Sequence, residues 1–282
     1  MPLQVYFDTS AFDHLQKRIN CTAADIASLR QAVYGGEISI PLSIHVLEEL
    51  LLARRSSPQT YSALLRMVLS IAPSRTLVKP CPDIVRGDVR SYAAGGGAEN
   101  PRVHGPVQNI VAAGIAELIE SDGEDWDEDF VAALEQIRGN REKFAERMRV
   151  IPEIVANIAF HGPELPSFDA FWSTDADGIA GGFADEAGVG EKCAARGIEG
   201  LLELPSIRMA VGIRLSYIHG LLLQGHRTKK SDGEDQHHAI SAAAAAEILV
   251  TADPRLLKIA ARVPMDNFEA IDLRAFLDRL DA

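Results

Sequence analysis

Short apolar runs alternate along this chain with longer stretches in which apolar residues recur at helical spacing. Leu3 to Phe7 (LQVYF) is such a run, ended by Asp8, and Thr9, Ser10 and Ala11 suit a strand that stops and hands over to a helix. A periodic stretch from Thr22 to Val33 ends at Gly35 and Gly36, as a helix C-terminus does. Glu37 to Pro41 (EISIP) reads as a second strand, and Ser43 can cap a helix running through Glu48, Glu49 and Leu51. Another helix is expected over Pro58 to Ile71. Far along the chain the pattern resumes with a helix over Ser206 to Leu223, the polar loop GHRTKKSDGED and an alanine-rich helix over Asp235 to Ala246. Then come a strand over Glu247 to Thr251, a helix over Pro254 to Arg262, a strand over Phe268 to Asp272 and a last helix. Strands alternating with helices imply a parallel sheet covered on both faces, hence an α/β fold.

Between these blocks the character changes. Pro, Gly and charge clusters (KPCPD, AAGGGAENPRVHGP, SDGEDWDEDF, FHGPELPSF, DADGIAGG) separate helical stretches at Val107 to Ile119, Asp129 to Ile137 and Gly139 to Phe160. The expected organisation is therefore an α/β core of residues 1–72 and 206–282 with a mainly helical insertion or subdomain of residues 73–205.

Composition narrows the function classes. At 282 residues, 47% hydrophobic and 24% charged, the chain has ample material for a core. Its 40 acidic against 28 basic residues, a formal net charge of -12, argue against gripping duplex nucleic acid through a broad cationic face, because that binding rests on counterion release. A localised site stays open. Cys21, Cys81 and Cys193 are far apart, which speaks against a disulfide framework or a thiolate zinc site and for a reducing cytoplasm. No apolar stretch approaches about 18 residues, so no membrane span is expected.

The acids most tightly tied to element ends carry the candidate chemistry. Asp8 follows the first strand, Glu49 lies in the helix after the second, Asp235 opens the alanine-rich helix and Asp253 lies just past a later strand. In an open α/β sheet the carboxyl ends of the strands share one edge, where ligands bind, so acids distant in sequence can converge there. Concentrated like charge needs neutralising, and oxygen ligands select a hard cation such as Mg²⁺ or Mn²⁺. The chemistry expected is hydrolysis of phosphodiester bonds by water that the cation activates.

Three strings carry a family resemblance. VYFDTSAFDHL resembles the opening of PIN-domain ribonucleases, IPLSIHVLEELL their second signature, which selects Glu49 over Glu48, and DQHHAISAAAAAEILVTADPRL their closing signature, with Asp235 and Asp253 on its two acids. The resemblance covers residues 1–72 and 206–282. It implies a Rossmann-like parallel sheet, Mg²⁺ or Mn²⁺, and cutting of single-stranded or structured RNA. Two departures stand out: the middle segment is far longer than in small PIN toxins, and Pro254, Arg255 and Leu256 stand where many members place a further acid.

Supporting candidates each have a plainer reading. Thr9, Ser10 and Thr251 could orient Asp8 or cap helices. Asp232 and Glu234 flank Asp235 as substitute ligands or as an acidic helix start. His238, one turn after Asp235, could reach that carboxylate or a substrate phosphate, whereas a packed or solvent-facing histidine is the alternative for it and for His237. Arg227, Lys229 and Lys230 are candidates for holding RNA phosphates. Arg138, Arg141, Lys143, Arg147 and Arg149 form a cationic stretch whose plainer reading is a solvated face paired with Glu142 and Glu146. Competing functions are a PIN-like scaffold that offers its insertion to a protein partner, and a phosphatase whose Asp8 attacks phosphorus, which usually wants an Asp where Ser10 stands. A homodimer is left open.

Overall fold

The computed structural model describes residues 1–72, 77–103, 106–121, 126–159, 167–224 and 230–280, with the backbone alone for 106–108, 145, 147–159, 221–224 and 230–234. In chain order, β1 (Leu3–Phe7) leads into α1 (Thr9–Lys17) and α2 (Ala23–Tyr34). Two short strands, β2 (Ile38–Ser39) and β3 (Leu42–Ser43), precede α3 (Ile44–Ser56) and α4 (Pro58–Ile71). The middle of the chain forms β4 (Leu77–Val78), α5 (Cys81–Ala93), α6 (Pro106–Glu120), α7 (Glu128–Ala159), α8 (Phe168–Glu186), α9 (Gly190–Arg196) and a 3-10 turn (Ile198–Glu203). It closes with α10 (Pro205–Gln224), α11 (Lys230–Ala245), β5 (Ile248–Thr251), α12 (Pro254–Ala260), β6 (Glu269–Asp272) and α13 (Leu273–Leu280).

Four strands form one parallel sheet in the order β2-β1-β5-β6, and β3 and β4 form a second parallel pair. The register sets Phe7 beside Val250 and Thr251 beside Asp272. Asp8 therefore emerges at the carboxyl edge of the central strands, its N–H still bonded to the Val250 carbonyl at 3.2 Å.

Alternation along β1 divides the core. Val5 and Phe7 join α1 to α4 and α13 on one face, whereas Tyr6 turns to a second cluster built with α5, α8, α10 and α11. That second cluster is shared: Val85, Val89, Phe171 and Phe183 from the middle of the chain pack with Ile207, Ile213 and Ile240 from its last third. Long α7 packs against α3, α10 and α11. It thereby reaches the carboxyl edge of the sheet.

Local departures from the sequence reading have physical causes. The expected strand over Glu37 to Pro41 is shorter, Ile38–Ser39, and a separate strand, Leu42–Ser43, follows Pro41, which has no N–H to give to a ladder. The helices expected over 129–137 and 139–160 are one: Gly139 costs a helix interior about 1 kcal/mol, which packing of α7 on three neighbours outweighs. KPCPD does not only break structure, since Pro82 sits in the first turn of α5, where no N–H is required. Among the described residues no helix is long and apolar enough to cross a membrane.

Candidate active site

Asp8 is the N-cap of α1 and accepts the Ala11 N–H on Oδ1 at 2.8 Å. Two hydroxyls complete its shell. Ser10 Oγ lies 2.9 and 2.8 Å from the two carboxylate oxygens, and Thr251 Oγ1, at the end of β5, donates to Oδ2 at 2.7 Å. Ser10 in turn accepts the Ala252 N–H at 3.0 Å, and Thr251 accepts that of Asp253 at 2.9 Å. A strand end, a helix cap and the following T-x-D turn are thus tied around one carboxylate, only 3% of whose residue surface is exposed. Burial pushes the Asp8 carboxyl above its ordinary range; the His238 charge and these neutral donors oppose the shift.

Glu48 and Glu49 project from α3, whose N-terminus is capped by Ser43. Consecutive helical residues diverge by about 100°, so the two acids enter different surroundings. Glu49 keeps 26% of its side chain exposed and meets His238 Nε2 of α11 at 3.2 Å. His238 Nδ1 lies 3.0 Å from the Tyr6 hydroxyl, which donates to Ser43 Oγ at 2.8 Å. An imidazolium satisfies this chain throughout, donating to Glu49 on one side and to Tyr6 on the other. Burial would lower the His238 pKa, but Glu49 and Asp8 raise it above 6.5. For Glu49, burial works upward, yet the His238 charge and hydrogen bond, joined by Arg141, bring it down to about 2. Thr9 faces Glu49 without completing a hydrogen bond.

Glu48 is 1% exposed and receives Arg141 Nη1 of α7 at 3.1 Å; the same nitrogen lies 3.8 Å from Glu49 Oε1. His45 completes the pocket. Its Nε2 accepts the Cys81 N–H at 3.1 Å, so the ring proton resides on Nδ1 and is donated to Glu48 Oε2 at 3.2 Å. Burial, with the charges of His237 and Arg141, keeps His45 neutral by lowering its pKa well below 6.5. Burial also pushes Glu48 up to about 7 against the pull of Arg141. Beyond this group, α7 roofs a cavity of about 330 Å³ at the ends of β3 and β4, between Ile44, Lys79 and Asp83 on one side and Gln136, Ile137 and Asn140 on the other.

The fold thus gathers Asp8, Ser10, Thr251, Glu49 and His238, with Thr9 at the margin. Asp253 stands next to them but serves as the N-cap of α12, accepting the Arg255 N–H at 2.7 Å. Asp235 is half-buried on α11, three positions before His238. Arg227 and Lys229 lie outside the described residues, as do the side chains of Lys230, Asp232, Glu234, Arg147 and Arg149. The cationic stretch of α7 is not uniformly solvated: Arg138 makes the surface pair with Glu142 at 3.0 Å, whereas Arg141 is 2% exposed. Sequence reasoning missed Tyr6 and His45, set Glu48 aside in favour of Glu49, and gave Arg141 a solvated face where it is buried. The one available signal was the apolar ring around them, IPLSIHVLEELL, in which His45 and Glu48 fall three apart on the buried face of a helix.

The donor chemistry suits a hard cation. Asp8 and Glu49 are oxygen donors at the carboxyl edge of a parallel sheet, and their charges act jointly on Tyr6 and His238. Among the described residues no three His, Cys, Asp or Glu side chains come together as a group able to hold a metal. No family model matches the chain, and neither do any curated protein or solved structure.

Proposed function

We propose that this chain is a PIN-like nuclease that depends on Mg²⁺ or Mn²⁺ and hydrolyses phosphodiester bonds in RNA. The observation that carries the reading is the contact of Glu49 with His238 from two separate helices, with Asp8, at the end of a central parallel strand, near enough for its charge to act on His238. Asp8 and Glu49 would hold the cation, and Asp235 and Asp253 are the remaining candidate oxygen donors. Bound there, the cation would supply water activation and stabilise charge on the phosphoryl oxygens. Ser10 and Thr251 keep both Asp8 oxygens at one orientation, and His238 keeps Glu49 ionised and aimed at the sheet edge. Arg227 and Lys229, which lie outside the described residues, and Lys230, the first residue of α11, are the proposed phosphate contacts.

The test is cleavage of a mixed RNA pool by purified chain with and without Mn²⁺. Metal-dependent cutting is expected, and Asp8→Asn is expected to abolish it while preserving the circular dichroism spectrum; activity retained in that variant removes the site assignment. A second reading, a PIN-like scaffold that engages a protein through residues 73–205, is favoured by one observation, the use of Asp253 as a helix cap in place of a third converging ligand. Calorimetric titration with Mn²⁺ that evolves no heat decides for the scaffold.

A further inference from the structure

We infer that Arg141 is a positioning residue for Glu49, so that the long helix of the middle segment completes the site. This rests on the nuclease reading above. Arg141 reaches the pair from α7, some ninety positions away in sequence, and is as buried as the core around it. Burying a guanidinium is unfavourable unless its partners hold it well, and a pair built for stability alone would fork two parallel bonds onto one carboxylate. The arrangement here is different. One nitrogen, Nη1, is shared between Glu48 Oε2 at 3.1 Å and Glu49 Oε1 at 3.8 Å. Among the described residues Arg141 Nε and Glu48 Oε1 are buried without hydrogen-bond partners.

The consequence falls on Glu49. Its Oε1 is within 4 Å of both His238 Nε2 from α11 and Arg141 Nη1 from α7, and these two contacts confine a side chain with three free torsions. Glu48 anchors the guanidinium from below, and His45 anchors Glu48. The order is a relay of orientation: His45 and Glu48 hold Arg141, Arg141 and His238 hold Glu49, and Glu49 faces the ligand. Groups that orient metal-binding carboxylates typically change affinity by about 10- to 100-fold when removed.

Calorimetric titration with Mn²⁺ alone and thermal melting of the full-length chain separate this role from a structural one. Arg141→Met is expected to melt earlier because Glu48 loses its partner. In Arg141→Met with Glu48→Gln, the amide oxygen still accepts from His45 and no buried carboxylate is left uncompensated, so melting should return to near wild type. Its Mn²⁺ affinity should remain about 10-fold weaker. Arg141→Lys, which keeps a cation on the helix, should retain the fold and bind Mn²⁺ severalfold more weakly, because the shorter side chain carries its charge on a compact ammonium that stops short of the position Nη1 occupies. Wild-type affinity in the double variant or in Arg141→Lys overturns the inference while leaving the nuclease reading intact. Wild-type chain that takes up no Mn²⁺ overturns both, and that control tells the two failures apart.

Discussion

The two carboxylate neighbourhoods at the sheet edge solve the same problem with different materials. Asp8 is surrounded by neutral donors, two hydroxyls and a backbone N–H. Glu49 is flanked by charges, His238 and Arg141. Both are acids facing desolvation, yet their pKa values move in opposite directions, Asp8 upward and Glu49 down to about 2. The charge of His238 and the neutral hydrogen bonds together do not offset the loss of water around the deeply buried Asp8 carboxylate; two nearby cations, one of them hydrogen-bonded, around the less buried Glu49 do. Glu48 stands between the cases: it has Arg141, but its deeper burial still carries it up to about 7. The cations in contact therefore stand at the Glu49 end, and Asp8 has only the charge of His238 acting on it. A divalent cation would add most where the protein supplies least, at Asp8.

The contrast can be broken first from the charged side. Arg141→Met should lower unfolding free energy by about 3–5 kcal/mol, the usual result of stripping one partner from a buried pair, measured by urea denaturation at neutral pH. A loss below 1 kcal/mol would mean that Glu48 is neutral there and needs no cation.

The next effect is a pair of opposite pH slopes. Glu49 has a depressed pKa, so its stabilisation is present above the ordinary 4.5 and fades as pH falls toward 2. Wild type should gain about 2–3 kcal/mol on Glu49→Gln as pH rises across that window, a figure already reduced for partial exposure. Asp8 has a raised pKa, so its contribution is complete below the ordinary 3.8 and is lost as pH rises through the folded value. Asp8→Asn should therefore gain on wild type as pH rises. Equal slopes for the two variants, in melting curves collected from pH 2 upward, would erase the distinction between the neighbourhoods.

Smaller effects test the hydroxyl shell. Thr251→Val removes the shortest donor to Asp8 and should cost about 2 kcal/mol, as for a hydrogen bond to a charged group. Ser10→Ala should cost about 1 kcal/mol, since Thr251 and the Ala11 N–H remain. If Ser10→Ala proves the more damaging, its second bond, from the Ala252 N–H, matters more than its contact with Asp8.

Much of the core was legible because its signals are local. Residues 3–7 form a strand for their apolar run, α4 spans Pro58–Ile71 as its period and leading proline require, and Ser43 caps α3 through its own hydroxyl. The Asp8, Ser10 and Thr251 cluster was legible in part, since a residue that ends a strand and one that caps a helix must stand at the same sheet edge. The middle of the chain was harder to read. Its helices run through Gly139 and the glycines of α8, where propensity argues for a break and packing argues for continuity, of α7 on α3, α10 and α11 and of α8 on α5, α9 and α10. Arg141 was the hardest, because charge at helical spacing with Glu142 and Glu146 nearby looks the same whether the helix faces water or another helix.

Taken alone, then, the sequence determined the alternation of strands and helices, the parallel sheet and the acids set at element ends, all of which follow from hydrophobic period, capping and turn chemistry within a few residues. The tertiary structure decided that Glu48 and Glu49 enter different surroundings, that His238 pairs with Glu49, and that an arginine from the middle segment reaches both glutamates. Those outcomes depend on the desolvation and pairing of groups that only the folded chain brings within 4 Å.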